Sequence, residues 1–382
     1  MVLILLATVL ILAVAFYQVT QGLFSAMIMT ILTVLSAAAA FNFYEPLASM
    51  LYARQPAYAD AAALIAVFVV PLLVLRIGYD KLIGSNVVFG IWADRIGGGL
   101  LGLITGIILI GVLAIALQML PFGAKVMTYQ PFDDALQRKQ RLLPFCPDEL
   151  TAGMAKMLSA GAFSSDRAYG TSHDDLLLEL YCARNRYRQH RREEGQNIVE
   201  HVGRVDSPPD ALQVLSVHHV DFSLAGWLDD LPKNPLLDTI ETTKAMVVRV
   251  SVAASARDDD NWWRLPATHF RLVCQSGRSF YPLGYLTYVR TERPAWQLIA
   301  APVENKLAQI GALAVPRPWK NEMESLTVDW VYRVPTEQEP AYVVFRRTAR
   351  AGIANVTKTA PPATGALERG RMLKPTRKRR RR

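Results

Sequence analysis

The chain has 382 residues, 51% of them hydrophobic, with 42 Lys and Arg against 33 Asp and Glu for a formal net charge of +9. A bilayer core takes about twenty apolar residues per helix, and no charged side chain precedes Glu45, which argues against a soluble enzyme beginning at Met1. Residues 351–382 hold ten Lys or Arg against the single acid Glu368, so the whole positive excess sits there and the remainder is formally neutral.

In chain order, Met1 to Phe16 and Gly22 to Phe41 are apolar runs separated by the polar patch Tyr17 to Gln21, and they read as a helical hairpin. A third run covers Ala61 to Ile77, and a fourth, Ile96 to Leu120, stops at Pro121. The alternative, a cleaved signal peptide ending at Ala38 and Ala40, lacks a basic n-region and is about twice too long. Arg76 and Asp80 are the ionisable groups nearest a span. Arg76 reads as a side chain snorkelling to the interface, with a functional intramembrane charge as the sharper alternative.

Helices in lipid associate through close backbone approach. Gly98, Gly102 and Gly106 recur every four residues on the fourth helix, widened by Gly99, and read as a packing stripe within a four-helix bundle or between copies of the chain. Ahead of it, Trp92, Asp94 and Arg95 read as an anchor where the chain re-enters the bilayer. The run from Asp94 to Gly106 resembles the fourth-helix motif of the colicin V production (CvpA-type) membrane protein family. Tyr44-Glu45-Pro46-Leu47-Ala48, placed after the second helix, is similar to that family's Pro-containing segment, and Gln21-Gly22 falls at its glycine-rich first turn without the usual basic residues. The resemblance implies a multi-pass bacterial inner-membrane protein linked by name to toxin production or export.

Phe132 to about Arg192 reads as helical, with Leu136, Leu142, Leu143, Leu150, Met154, Met157 and Leu158 at helical intervals, a helix start at Pro147 and Asp148 before Glu149, and another helix from His173 or Asp174. The run Arg184, Arg186, Arg188, Arg191 and Arg192 reads as its solvated end, or as a contact to lipid headgroups. Beyond Ser207-Pro208-Pro209 the period changes to two. Met246, Val248, Val250 and Val252 alternate with Val247, Arg249 and Ser251, and Leu326, Val328, Trp330, Tyr332 and Val334 alternate with Thr327, Asp329, Val331 and Arg333, as in half-buried strands. A hairpin is expected at Gly277, and six or seven strands in all, the number of an immunoglobulin-like sandwich. The order of strand, acidic loop, Trp262-Trp263 and Gly hairpin resembles the small sandwich modules of the DUF4352 type on bacterial surface proteins.

The expected plan is multi-domain: a four-span α-helical membrane domain over 1–122, a helical connector over 123–205, an all-β immunoglobulin-like sandwich over 206–350 and a disordered basic tail over 351–382. No catalytic, cofactor or metal residues are assigned. The sequence has no G-x-S-x-G, H-E-x-x-H or P-loop, and His219 with Asp221 is two possible ligands without a third. Cys146, Cys182 and Cys274 read as buried thiols, with a Cys146–Cys182 pair as the alternative. The expected partners are the lipid bilayer, a second copy of the chain through the fourth helix, a protein or envelope polymer at the sandwich, and an anionic surface at Arg377, Lys378, Arg379, Arg380, Arg381 and Arg382. Basic residues flanking the spans are nearly balanced. The sandwich module, together with the resemblance to family members whose C-terminal domains are translocated, tips the C-terminal region to the extracytoplasmic side. A non-enzymatic scaffold or envelope factor is the first reading, an oligomeric transport or export component the second, and an enzyme of unrecognised type the third.

Overall fold

The computed structural model describes residues 2–52, 54–82, 90–122, 126, 129–133, 137–160, 169–184, 188–193, 196–202, 207–220, 243–258, 263–289, 295–300, 313–315, 324–357 and 362. The chain divides into two units, Met1–Arg184 and Asn185–Arg382.

The first unit is built on four long helices: α1 Val2–Gln21, α2 Leu23–Leu51, α3 Pro56–Leu82 and α4 Ile91–Met119. All four are long and apolar enough to cross a membrane. Each extends several residues beyond at least one end of the apolar run that marked it, because hydropathy records where a helix would meet lipid and not where its hydrogen bonds end. The patch Tyr17 to Gln21 stays helical, and the chain reverses at Gly22, whose φ of +86° is a conformation side chains resist. Tyr44 to Ala48, expected beyond the second helix, lies inside α2 with Pro46 in the helix.

Small residues fill the interior of this bundle, among them Ala26, Ala37, Ala38 and Ala40 of α2 and Gly98, Gly102 and Gly106 of α4. Bulky aliphatics such as Leu5, Val9, Val70, Val74 and Leu100 face outward. That distribution suits helices solvated by lipid, where tight backbone packing holds the bundle and large side chains gain nothing by turning inward.

Three shorter helices follow among the described residues: α5 Pro147–Ala160, α6 Tyr169–Ser172 and α7 Leu176–Arg184. α5 starts at Pro147, where Pro147 and Asp148 ahead of Glu149 suit a helix start, whereas the stretch from Phe132, expected to be helical, makes an isolated bridge and turns at Pro144. The helix expected to run to Arg192 ends at Arg184, which is buried. Arg188–Glu193 (β1) and Gln196–Val202 (β2) pair as an antiparallel hairpin, so Arg188, Arg191 and Arg192 belong to a strand and not to a helix end. The β-branched residues Ile198, Val199 and Val202 favour that extended form.

The second unit continues with β3 Leu212–Val220, β4 Thr243–Ala253, β5 Trp263–Leu265, β6 Phe270–Cys274, β7 Ser279–Phe280, β8 Gly284–Val289, β9 Ala295–Ala300, β10 Leu313–Val315, β11 Ser325–Pro335, β12 Pro340–Phe345, β13 Ala349–Gly352 and β14 Val356–Thr357. A six-stranded sheet has the order β14-β3-β4-β11-β8-β9, a four-stranded sheet the order β13-β12-β6-β7, and β10 pairs with β5. The expected hairpin turns at Gly277, with φ +85°. One core joins the two larger sheets: Met246, Val248, Val250 and Trp330 from the first, Leu272, Val343 and Phe345 from the second. Phe270 sits at its centre, 4.6 Å from the Trp330 ring and 4.5 Å from Phe345.

Two expectations are corrected here. β4 and β11 are buried on both faces along their middle, not half-buried throughout, because Val247, Arg249, Asp329 and Val331 are also shielded from solvent, while Ser251, Thr327 and Arg333 nearer the ends stay partly exposed. The segment from residue 351, expected as disordered tail, contributes to the sheets at its first two residues, in β13, and again at Val356–Thr357. β14 pairs parallel with β3, and the Pro362 carbonyl accepts a hydrogen bond from Arg249 at 2.7 Å.

Candidate functional site

Two ends of the bundle carry its polar chemistry. At the end formed by the α1–α2 turn and the start of α4, Asp94 accepts a hydrogen bond from the Leu23 amide at 3.2 Å. A helix N-terminus leaves amides without intrahelical partners, and a carboxylate there is favoured by the helix dipole. The three residues expected to anchor one interface therefore separate: Trp92 and Arg95 point outward, Trp92 being 79% exposed, while Asp94 turns to α2. Arg76 pairs with Asp80 at 3.2 Å and lies over the Tyr79 ring.

Between the ends, α1 lies along the glycine stripe. A Cβ added at Gly98 would come 2.9 Å from the Gln18 carbonyl, at Gly102 2.6 Å from Gln18 Cβ and 2.9 Å from Ala15 Cα, and at Gly106 2.9 Å from the Ile11 carbonyl. The stripe is occupied by α1 of the same chain, which leaves it no room for a second copy. On α4's flank toward α2, the Thr30 and Thr105 hydroxyls are 2.9 Å apart.

Residues 3–144 match the family model for colicin V production protein. The matched region takes in all four apolar helices and stops just short of α5, so this part of the chain is similar to colicin V production proteins and fits a multi-pass inner-membrane protein. Nothing among curated proteins and nothing among solved structures matches the chain.

At the other end of the colicin V production-like bundle, α5, α6 and α7 enclose a cluster that sequence reading missed. His173 Nδ1 is 2.6 Å from Glu179 Oε2 on α7, and its Nε2 is 2.8 Å from Glu45 Oε1 on α2. Burial pushes the imidazole toward its neutral form, but the Glu179 charge and the two carboxylate hydrogen bonds outweigh it and hold the pKa up at about 9. His173 is therefore an imidazolium donating from both nitrogens, a charged bridge between the end of a span and α7. The Tyr169 ring lies 5.1 Å from His173 and 5.3 Å from Phe41, and burial raises its phenol pKa. Close by on the bundle, the Tyr52 hydroxyl donates to Asp60 at 2.6 Å.

Beside the bridge is a cavity of about 390 Å³, into which Arg138, Arg141, Glu149, Lys156, His173 and Asp174 project. Three ion pairs line it: Arg138 with Glu149, Arg141 with Glu149 at 3.5 Å, and Lys156 with Asp174 at 3.1 Å. A second buried centre lies at the start of α5, where Asp148 accepts from Tyr129 at 3.1 Å and from Gln118 at 3.3 Å. Among the described residues no group of three or more His, Cys, Asp and Glu is placed to hold a metal ion. The arrangement holds protein segments together through charge.

Cys146, Cys182 and Cys274 are all free thiols, so the Cys146–Cys182 alternative is set aside. Trp263 is buried and its indole donates to the Ala253 carbonyl at 3.3 Å. His219 lies on β3, whereas Asp221, Trp262 and the cluster Arg377 to Arg382 fall outside the described residues. No local signal pointed to the cluster at His173, since Glu45 is 128 positions away from it in the chain.

Proposed function

We propose that this protein is a non-enzymatic inner-membrane scaffold of the colicin V production type, which tethers an immunoglobulin-like binding module to the bilayer on its extracytoplasmic side. The observation that carries the reading is α1 seated on the Gly98, Gly102 and Gly106 stripe at backbone contact, which makes the bundle a packed support and leaves that stripe without a role as a path between copies. The match over residues 3–144 supports the family assignment of the membrane part. The β-rich unit then binds a protein or envelope polymer without turnover, and the basic run from Arg377 to Arg382 meets an anionic surface.

Compartment-sensitive reporters fused after Gln196 and after Arg382 test the sidedness, and active extracytoplasmic reporters at both points are expected. Complementation of a deletion strain separates scaffold from transporter. Residues 1–184 alone are expected to insert in the membrane but not restore function, and the full chain in proteoliposomes is expected to pass no solute. Rescue by residues 1–184, or solute flux, would favour the export component.

A further inference from the structure

α5 carries three distinct faces. Asp148, Thr151, Ala155 and Ser159 are buried within the helical unit. Glu149, Ala152, Gly153 and Lys156 line the cavity. The third face is apolar and open: Leu150 is 55% exposed, Met157 68% exposed and Met154 half-buried between them. At 3.6 residues per turn these three positions form one stripe, and the exposed Leu143 lies just ahead of the helix.

The seat of α5 says what covers that stripe. Its first turn rests on Gly111 of α4, where an added Cβ would fall 2.3 Å from the Pro147 carbonyl and 2.0 Å from Thr151 Oγ1, and the Thr151 hydroxyl faces the Ile107 carbonyl at 3.5 Å. Gly111 is about 12 Å from the end of α4 by helix rise, inside the apolar span Ile91–Met119. The same depth is fixed from α1, because Gly106 faces Ile11 and Ala114 shares a cluster with Leu3. Gly111 thus lies level with the first turns of α1, whose Leu5, Leu6 and Val9 face outward, and near the outward Leu113 of α4. The first turns of α5, which carry Leu150 at the head of the open stripe, therefore lie at the depth of the apolar belt of the bundle. Lys156 and Arg141, on the polar side, keep exposed cations where headgroup phosphates would lie.

We infer that α5 is an interfacial helix, lying in one leaflet with Leu150, Met154 and Met157 against phospholipid acyl chains and its cavity face toward the headgroups. This rests on the reading of α1 to α4 as membrane spans. It adds a fifth membrane-contacting helix, positioned so that the bilayer itself holds the cap carrying His173 against the bundle.

The test uses the full chain in phospholipid vesicles that contain a phospholipid with a photoactivatable diazirine on its acyl chain. Adducts are mapped on tryptic peptides 55–76 from α3 and 142–156 and 157–167 from α5. Adducts on both α5 peptides in yields comparable to the α3 peptide are expected, together with slow oxidation of Met157 by aqueous peroxide. Adducts on α3 with their loss from α5, and fast oxidation of Met157, would overturn the inference and leave the spans intact. Absence of adducts from α3 would overturn the membrane reading and this inference with it.

Discussion

Asp94 Oδ1 accepts the amide hydrogen of Leu23 at 3.2 Å, so the carboxylate that opens α4 closes the N-terminus of α2, 71 positions earlier in the chain. Gly22 makes this possible by its φ of +86°. Space is not the constraint, since a Cβ there would meet Asp94 at an ordinary 3.6 Å. Asp94→Ala should lower bundle stability by about 1 kcal/mol, the usual worth of a lost helix cap, and Asp94→Asn should recover part of it. Thermal unfolding of the detergent-solubilised chain checks both.

Gly102→Leu should dislodge α1. Its Cβ alone would overlap Gln18 and the Ala15 backbone, and backbone cannot rotate away as a side-chain tip can. A loss of at least about 1–3 kcal/mol is expected, seen as earlier melting and faster proteolysis within α1. An unchanged melt with an altered oligomeric state would instead place the stripe at a contact between copies.

The His173 bridge makes stability fall at high pH. The imidazole pKa is raised in the folded chain from the ordinary 6.5 to about 9, so the protonated contacts contribute fully below about pH 6.5 and are lost as pH rises through about 9. By linkage the amplitude is about 3 kcal/mol. Melting measured across this window should show the decline in the parent chain and a flatter profile in His173→Gln. A parent profile as flat as the variant's would mean that the bridge is neutral.

In the β-rich unit, Arg249 and Asp329 face each other across β4 and β11 and form two hydrogen bonds of 2.7 and 2.9 Å with almost no solvent exposure. Removing one partner strands a buried charge. Asp329→Ala should therefore cost about 3–5 kcal/mol, and replacing both residues by apolar ones of similar volume should cost much less. Denaturation followed through intrinsic tryptophan fluorescence, to which the buried Trp263 and Trp330 contribute, separates the two cases.

The sequence by itself determined the features with a local signature. Four apolar runs marked the spans because hydropathy is additive along a segment. The four-residue spacing of Gly98, Gly102 and Gly106 marked a packing face because helical period converts spacing into direction, and period-two alternation marked β4 and β11. Tertiary structure alone decided what meets those faces. It put α1 on the stripe, turned Asp94 to a helix end that the sequence places far away, and joined Glu45, His173 and Glu179 from three segments. It also covered the middle of the outer face of β4 and β11, which the alternation had left to solvent, and stopped the Arg-rich helix at Arg184. The physical reason is the same in each case. Period and composition report how a segment divides its polar and apolar sides, whereas a charge such as His173 or Arg249 is stabilised in the interior only by partners that folding brings to it.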